Sequence, residues 1–396
     1  IIYMNLPLLQ TALAMAVTVG IVYKLIPLLV KVAYFKDLYD KPDGDRKLHD
    51  RYVTYLGGVA IFIGLFIGYS LSGYAAQLQG FEFLSVAMIA LFFTGLKDDL
   101  MGLSPAKKLA IELFAAVLLM IGCGALIQNF HGMFGLNAIP LYVSIPVTIF
   151  TVIVVMNSFN LIDGIDGLAG GIGMIASLFM AAGFYSAGYT ALMLLALFTA
   201  VSLFGFLLHN FHPARIFMGD TGSLVVGLIL AFLTINYLGL SGNSGYSAIY
   251  NNASVILPVA FLAIPLYDTL TVFVKRLARG DGPFTPGKDH VHHQLLDMGF
   301  SQKQTTVFLY LVTILIGLLA ISLSGLNNNL IMGVIVLFMI AFLPTNGYKR
   351  TLLKKLGIID LDRHKQLQDL QKERRTLVEE KERPTRQRAG QEKELA

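Results

Sequence analysis

Residues 139–186 read IPLYVSIPVTIFTVIVVMNSFNLIDGIDGLAGGIGMIASLFMAAGFYS and decide the fold class. Two apolar runs, 139–157 and 168–186, flank a short polar segment of asparagine, aspartate and glycine. Each run approaches the roughly 20 residues that a helix needs to cross a hydrocarbon core about 30 Å thick. The stretch therefore predicts two transmembrane helices joined by an acidic turn.

The same character extends over the whole chain of 396 residues, of which 55% are hydrophobic and 14% are charged. The mean hydropathy is +0.67, whereas soluble domains carry about 25% charged residues. The composition therefore excludes a soluble globular protein and predicts an all-α polytopic membrane protein whose surface contacts the lipid bilayer. The single cysteine, Cys123, excludes a disulfide framework and a zinc site built on several cysteines.

Apolar runs predict about eleven transmembrane helices within a first domain, residues 1–348. The runs are 6–30, 56–76, 82–96, 109–128, 139–157, 168–186, 190–208, 222–240, 252–274, 305–325 and 329–345. The alternate segments that would share one side contain no Lys or Arg; they are 1–5, 77–81, 129–138, 187–189, 241–251 and 326–328. Because basic segments stay in the cytoplasm, we expect the N-terminus outside and the C-terminus inside. The outer segment 129–146 is expected to carry a short hairpin.

Residues 349–396 form a second, charged unit, which we expect to be a cytoplasmic tail. It contains 14 basic and 9 acidic residues, and it therefore accounts for the net charge of +5 of the whole chain. The excess of positive charge lies in this tail and does not indicate nucleic-acid binding. Leucines at helical spacing among its charges predict a solvated or surface-lying helix.

Acidic side chains outside the tail concentrate where predicted spans reach the cytoplasmic side, and ionisable groups at membrane depth tend to be functional. The first of four clusters is Asp98-Asp99, followed by Lys108. Adjacent carboxylates repel each other unless a metal ion or a lysine lies nearby. The alternative is a turn that ends one span and caps the next.

The second and third clusters combine oxygen ligands with glycines. Asn160, Asp163 and Asp166 recur at helical spacing, and oxygen ligands so placed suit a hard cation such as Mg²⁺. Glycines between them allow a substrate to approach the backbone closely. Asp220 opens a later span beside Phe217, where it is either a metal ligand or an ordinary helix cap.

The fourth cluster combines one carboxylate inside a predicted span, Asp268, with arginines and histidines. Its basic members are Arg276, Arg279, His290, His292 and His293. Three imidazoles within four residues of a polar loop could bind a transition metal. They could equally donate hydrogen bonds to phosphates, together with the arginines.

Carboxylates for a divalent cation and basic groups for phosphates, all on one membrane surface, indicate phosphoryl transfer. Their location predicts one soluble phosphorylated substrate and one substrate embedded in lipid. An ion-coupled transporter is the alternative from another class, although its carboxylates would lie at the midplane. A CDP-alcohol phosphatidyltransferase would need an Asp-Gly-x-x-Ala-Arg pattern, which the sequence lacks.

Three motifs resemble those of the polyprenyl-phosphate N-acetylhexosamine-1-phosphate transferases, which include the bacterial enzymes that start O-antigen and teichoic-acid linkage synthesis. They are Asn-Leu-x-Asp-Gly-x-Asp-Gly-Leu at 160–168, Met-Gly-Asp-x-Gly-Ser at 218–223 and His-x-His-His at 290–293. The resemblance covers about residues 35–300. The form of the third motif favours the N-acetylglucosamine branch over the related phospho-MurNAc-pentapeptide translocases, which stay as the alternative.

The resemblance implies transfer of N-acetylglucosamine 1-phosphate from UDP-N-acetylglucosamine to undecaprenyl phosphate, with release of UMP. It also implies Mg²⁺, or Mn²⁺ in its place, and an active site on the cytoplasmic face of the bacterial inner membrane. A homodimer is left open. Direct displacement by the lipid phosphate and a covalent aspartyl intermediate are the two mechanisms considered.

The resemblance also implies residue roles. Asn160 and Asp220 match metal-binding positions, and Asp98, Asp99 and Asp163 match catalytic carboxylates. Phe217 matches an aromatic side chain that stacks on uracil, Asp166 matches a residue that contacts the nucleoside, and Lys108 matches a residue that contacts phosphate. The residues that match the loop that holds the diphosphate and the sugar are Arg276, Arg279, His290, His292 and His293. Two departures concern the loop before Gly57-Gly58, which lacks the usual prolines, and Gly287, where the family commonly has Asp.

Overall fold

The computed structural model describes residues 6–38, 53–242, 255–280, 282 and 289–343. Within these ranges the protein is all-helical, with 78% helix and no strand. The predicted tail, 349–396, lies outside the described residues, as do Gly287 and the first part of the loop that precedes Gly57-Gly58. The division into two units therefore stays a prediction.

Thirteen α-helices lie within the described ranges. They are α1 (Leu6–Phe35), α2 (Gly57–Leu71), α3 (Phe81–Met101), α4 (Pro105–Gly122), α5 (Leu141–Leu161), α6 (Leu168–Ser186), α7 (Thr190–Asn210), α8 (Gly219–Leu238), α9 (Ile256–Phe261), α10 (Ala263–Ala278), α11 (Val291–Asp297), α12 (Gln302–Ser322) and α13 (Asn328–Phe342). Short 3₁₀ turns lie at Ala75–Gln77, Met133–Gly135 and Gly239–Gly242.

Ten of the eleven predicted apolar runs coincide with one helix each. Six helices, namely α1, α5, α6, α7, α8 and α12, are long and apolar enough to cross a membrane. The apolar helices α2 and α13 are shorter, at 15 residues each. The protein is thus a multi-pass membrane protein, while the count of eleven spans and the orientation of the termini stay predictions.

The run predicted at 252–274 is not one helix, because the backbone breaks between α9 and α10. Leu262, at the break, has φ −106° and ψ 15°. Pro265 lies four residues after Phe261, so it has no N–H to donate to the Phe261 carbonyl, and its ring clashes with that carbonyl. The break therefore follows from a proline that the length criterion alone does not register.

Helix α3 is longer than its predicted run of 82–96. It continues to Met101, so Asp98 and Asp99 lie in its last turn and not in a connecting loop. Gly102, with φ +73°, then ends the helix. The paired carboxylates are consequently held on a rigid element.

Helix α8 is the most buried of the six candidate spans, and it packs against α2, α3, α5 and α6. Two glycines allow this close packing. A Cβ atom on Gly58 of α2 would lie 2.1 Å from the Gly222 nitrogen, and one on Gly95 of α3 would lie 2.5 Å from the Thr221 Cα. The amino end of α8 therefore contacts the backbones of both helices directly.

The hairpin predicted in the outer segment is confirmed by an antiparallel bridge between Asn129 and Ala138. The Phe130 N–H donates to the Asn137 carbonyl at 3.0 Å. The segment joins the end of α4 to the start of α5. It therefore lies at the opposite end of these helices from Lys108 and Asn160.

Candidate active site

A polar cavity of about 320 Å³ lies where α3, α5 and α8 meet. Its lining residues are Tyr55, Asp98, Asp99, Asn160, Asp163, Gly219 and Asp220. Five of these seven residues were predicted from the sequence as catalytic or metal-binding residues. Three of the four predicted clusters therefore meet in one place, although they come from distant parts of the chain.

The start of α8 shapes the floor of the cavity. Gly219 has φ +68°, and a Cβ atom on it would lie 2.4 Å from the Tyr55 carbonyl oxygen and 2.6 Å from Asp99 Oδ2. Only glycine fits this conformation and this approach. The free N–H groups of the first turn of α8 consequently face the last turn of α3.

Asp99 binds those free N–H groups. Its Oδ1 accepts from the Asp220 N–H at 2.8 Å, while its Oδ2 accepts from the Thr221 N–H at 3.0 Å and from the Thr221 hydroxyl at 2.6 Å. Both carboxylate oxygens are thus engaged in capping α8 from a neighbouring helix. The geometry makes Asp99 an anchor for Asp220.

Asp98 and Asp220 share the ammonium group of Lys108. The Lys108 Nζ lies 3.3 Å from Asp98 Oδ2 and donates a short hydrogen bond to Asp220 Oδ2. Asp98 Oδ1 accepts from the Leu103 N–H at 2.6 Å. A lysine was expected beside the adjacent pair Asp98-Asp99; it bridges Asp98 and Asp220 instead and offsets the repulsion between these two carboxylates.

Asn160 holds Asp220 from the opposite side. Its Nδ2 donates to Asp220 Oδ1 and to Ser223 Oγ, both at 2.7 Å. The carboxylate and amide oxygens around the cavity are the ligand type that Mg²⁺ prefers. Among the described residues no three Asp, Glu, His or Cys side chains converge as a complete metal site. The oxygen atoms of Asn160 and Asp220 are therefore suitable ligands for Mg²⁺. In the structure described, the ammonium group of Lys108 supplies the positive charge beside Asp220.

Asp163 follows α5 in the turn toward α6, and its N–H donates to the Asn160 carbonyl at 3.2 Å. Burial, followed by the charges of Asp220 and Asp99, raises the pKa of its carboxyl to about 7. Burial likewise raises the pKa of the Tyr55 hydroxyl to about 12, with Asp99 and Asp163 adding to the effect. The neighbouring carboxylates thus disfavour further negative charge in the cavity, which suits a bound cation.

Asp166 does not line this cavity. Its Oδ2 contacts His212 Nδ1 at 2.8 Å and accepts from the Ala214 N–H at 3.0 Å. It therefore ties the acidic turn to the segment that leads into α8. The nucleoside contact of Asp166 stays a prediction, and within the protein its carboxylate contacts His212 and Ala214.

Phe217 lies beside the cavity and packs against Tyr55, with ring centroids 5.6 Å apart and an interplanar angle of 38°. Its N–H donates to the Thr54 carbonyl at 2.8 Å, and its carbonyl accepts from the Gly57 N–H at 2.9 Å. The loop before α2 is thus fixed to the loop before α8. This pairing leaves an aromatic pair at the rim of the acidic cavity.

The histidine cluster does not lie on an open polar loop as predicted. His290 and His292 are buried, and α11 begins at Val291. A Cβ atom on Gly164 would lie 2.4 Å from His292 Nε2, so the histidine segment packs directly on the acidic turn. Burial, followed by the charge of His293, lowers the pKa of His292 to about 3. His292 is therefore neutral at physiological pH.

The two predicted arginines differ in environment. Arg276 is buried near the end of α10. Arg279, just after the helix, is half exposed and pairs with Asp289 at 2.5 Å. His293 packs against His292, with ring centroids 4.4 Å apart. The fourth cluster is therefore assembled between α10 and α11, next to the cavity but not lining it.

Comparison with known proteins agrees with this geometry. The family described as glycosyl transferase family 4 matches residues 81–238, from the start of α3 to the end of α8. Over 336 residues the chain is 30% identical to the probable undecaprenyl-phosphate N-acetylglucosaminyl 1-phosphate transferase of Bacillus subtilis, covering 84% of this chain and 91% of the relative. The chain belongs to the polyprenyl-phosphate N-acetylglucosaminyl-1-phosphate transferase family.

Other members of this phosphoglycosyltransferase family are similar over shorter ranges. The decaprenyl-phosphate N-acetylglucosaminephosphotransferase of Mycobacterium leprae is 32% identical over 289 residues, covering 67% of this chain and 72% of the relative. The undecaprenyl-phosphate alpha-N-acetylglucosaminyl 1-phosphate transferase of Yersinia pestis is 28% identical over 324 residues, covering 79% of this chain and 84% of the relative. The family resemblance inferred from the motifs is thereby confirmed.

Sequence reasoning missed two contributors to the site of this phosphoglycosyltransferase. Tyr55 lines the cavity, and Thr221 helps to fix Asp99. The signal for Tyr55 was its position two residues before Gly57-Gly58, because a glycine pair at a helix start indicates close backbone contact. Thr221 fills the variable position of the Met-Gly-Asp-x-Gly-Ser motif, so the motif itself drew no attention to it.

Proposed function

We propose that this protein transfers N-acetylglucosamine 1-phosphate from UDP-N-acetylglucosamine to undecaprenyl phosphate and releases UMP. The reaction takes place on the cytoplasmic face of the bacterial inner membrane and requires Mg²⁺, which Mn²⁺ can replace. The product is a lipid-linked sugar that starts a cell-envelope glycan.

The observation that carries the proposal is the convergence of Asp98, Asp163 and Asp220 in one cavity. Lys108 lies among them, and the histidine segment packs on the adjacent turn through His292. Carboxylates that hold a cation, together with basic groups for phosphate, are what phosphoryl transfer between two charged substrates needs. The relatives' names supply the chemical identity of the sugar and of the lipid.

The proposed reaction is a direct displacement. A phosphate oxygen of the lipid attacks the phosphorus that bears the sugar; a new P–O bond forms, and the bond to the oxygen of the departing UMP breaks. A phosphate monoester is largely a dianion at neutral pH, because its second pKa is about 6. A strong base is therefore unnecessary, and Asp98 orients the lipid phosphate or accepts its residual proton.

The remaining work is positioning and charge neutralisation. Bound Mg²⁺, held by Asp220 and Asn160, would neutralise charge on the diphosphate. Lys108 is released from Asp98 and Asp220 to contact phosphate. Phe217 and Tyr55 offer aromatic surface for uracil at the rim of the cavity.

UMP release by the purified protein in detergent tests the proposal. Release should require UDP-N-acetylglucosamine, undecaprenyl phosphate and Mg²⁺ together, and Asp220→Ala should nearly abolish it. UDP-MurNAc-pentapeptide in place of the sugar nucleotide should give no UMP. Turnover of that substrate alone would assign the protein to the translocase branch, and solute transport in vesicles without UMP formation would favour a transporter.

An isotope experiment separates direct displacement from a covalent intermediate. If an aspartate formed a phosphoryl-sugar adduct, labelled UMP would exchange into UDP-N-acetylglucosamine without a lipid acceptor. We expect no exchange until undecaprenyl phosphate is added. Exchange in its absence would replace the direct mechanism with the covalent one.

A further inference from the structure

Asp268 is a buried carboxylate that the proposed reaction does not use. It lies on α10, is 1% exposed and does not line the acidic cavity. A buried carboxylate is costly unless its oxygens are fully hydrogen-bonded. The hydrogen-bond partners of Asp268 therefore indicate its role.

Both oxygens of Asp268 are used by the start of the histidine segment. Oδ2 contacts His290 Nδ1 at 2.7 Å, and Oδ1 accepts from the Val291 N–H at 2.6 Å. His290 is the residue that precedes α11, with φ −65° and ψ 150°. One carboxylate thus fixes the imidazole and the helix start together.

The contact also determines which ring nitrogen carries hydrogen. A carboxylate is only an acceptor, so Nδ1 must donate to it. The other ring nitrogen, Nε2, is not engaged by Asp268 and is the atom left for a substrate. Because His290 is buried and its ring lies nearly parallel to that of His292, at 5.5 Å and 14°, the imidazole has little room to turn.

We propose that Asp268 is a positioning residue that holds His290 in one tautomer and one orientation, with Nε2 presented to the diphosphate of the sugar nucleotide. The role of His290 toward that substrate rests on the proposed function. The tautomer itself does not, because it is a property of the protein without substrate.

Asp268→Asn is the informative substitution, since it keeps the shape and replaces one acceptor oxygen with an N–H donor. Removing the outer partner of a metal-binding histidine costs roughly 10–100-fold, and by analogy we expect kcat/KM for UDP-N-acetylglucosamine to fall by that order. Asp268→Glu should restore part of it. Asp297→Asn makes the same chemical change at an exposed site on α11 and should leave kcat/KM unchanged.

A double substitution distinguishes positioning from a general structural role. If Asp268 acts through His290, then Asp268→Asn combined with His290→Ala should be no slower than His290→Ala alone. Multiplied losses in the double variant would overturn the proposal. Equal thermal unfolding of Asp268→Asn and the unaltered protein would show that the loss is not one of folding.

The ¹⁵N spectrum of the histidine-labelled protein tests the tautomer without any turnover. The His290 signal, assigned by its loss in His290→Gln, should report a protonated, hydrogen-bonded Nδ1 in the unaltered protein. A signal from an unprotonated Nδ1 would overturn the proposal. Conversely, the expected spectrum together with no UMP release would reject the proposed function and retain the Asp268–His290 assignment.

Discussion

Asp98 and Asp99 are adjacent in sequence and have different partners. Asp99 accepts three hydrogen bonds from the first turn of α8, whereas Asp98 contacts the Leu103 N–H and the ammonium group of Lys108. Asp98 can exchange its lysine partner for a substrate. Asp99 cannot leave α8 without exposing buried N–H groups.

This difference predicts that the two Asp→Asn variants fail in different ways. Asp99→Asn places an N–H donor against the N–H and hydroxyl of Thr221, so unfolding free energy should fall by about 1–3 kcal/mol, the cost of an unsatisfied buried group. Asp98→Asn should unfold near the temperature of the unaltered protein while UMP release falls by roughly 10²–10⁴-fold, the range for loss of a positioned acid–base group. Unfolding and UMP release measured on both variants decide the assignment, and a reversed pattern would contradict it.

The raised pKa of Asp163 predicts how stability varies with pH in the absence of divalent cation. Between the ordinary carboxyl pKa and about 7 the folded protein retains a proton that the unfolded chain has lost. The unfolding free energy should therefore be highest at acidic pH and fall as pH rises toward 7. Thermal unfolding in detergent with a chelator, from pH 5 to 8, measures this trend.

Asp163→Asn serves as the control for that trend, because the amide does not titrate. The decline between pH 5 and 8 should be shallower in this variant, and Mg²⁺ should reduce it in the unaltered protein by offsetting the carboxylate charges. An equally steep decline in the variant would assign the pH dependence to other groups.

At the scale of elements, the contact between α3 and α8 determines whether the site assembles. Gly95 lies against backbone atoms of Asp220 and Thr221, at 2.5–2.6 Å from the position of an added Cβ. Backbone atoms cannot move aside as a side chain can. The separation of Asp99 from the amino end of α8 therefore depends on this glycine.

We accordingly expect Gly95→Ala to separate the two helices. A displacement of about 1 Å at a catalytic group can cost 10²-fold in rate, and overpacking typically costs 1–3 kcal/mol in stability. UMP release and thermal unfolding should both decrease. Gly20→Ala on α1 is the matched control, because no atom lies within 4 Å of its added Cβ; an equal loss in both variants would count against the argument.

Element positions were predictable where one physical constraint dominates. The run 168–186 coincides with α6 residue for residue, because a bilayer sets the apolar length. The extension of α3 through Asp98 and Asp99 was not predictable from hydropathy, since charged residues end an apolar run without ending a helix. Pro265 signals the break after Phe261. The single helix predicted over 252–274 was wrong because its prediction rested on the length of the apolar run and not on the effect of proline on a helix.

At the scale of the whole molecule, residue types predicted which side chains form the site better than they predicted how those side chains are paired. Asp98, Asp163 and Asp220 were expected together and lie around one cavity. The partner of Asp166, His212, and the burial of His292 were not predicted. Such pairings depend on contacts between segments far apart in the chain, which composition and local spacing do not encode.

The orientation of the molecule in the membrane is a prediction that the chain itself allows to be tested. Its single cysteine, Cys123, is buried, so Cys123→Ala provides a background for introduced cysteines. Leu136→Cys is a suitable outer site, since Leu136 is 49% exposed in the segment without Lys or Arg. Lys107→Cys, at the exposed start of α4, reports the basic side.

A membrane-impermeant maleimide should label Leu136→Cys in intact cells and Lys107→Cys only after the membrane is permeabilised. Lys107 lies at the start of α4 and Leu136 in the segment that follows its end, so labelling from the same side would mean that α4 does not cross the bilayer. The reverse pattern would place the N-terminus inside and the acidic cavity outside. Because Lys107 adjoins Lys108, the experiment also decides whether the site faces the compartment in which UDP-sugars are made.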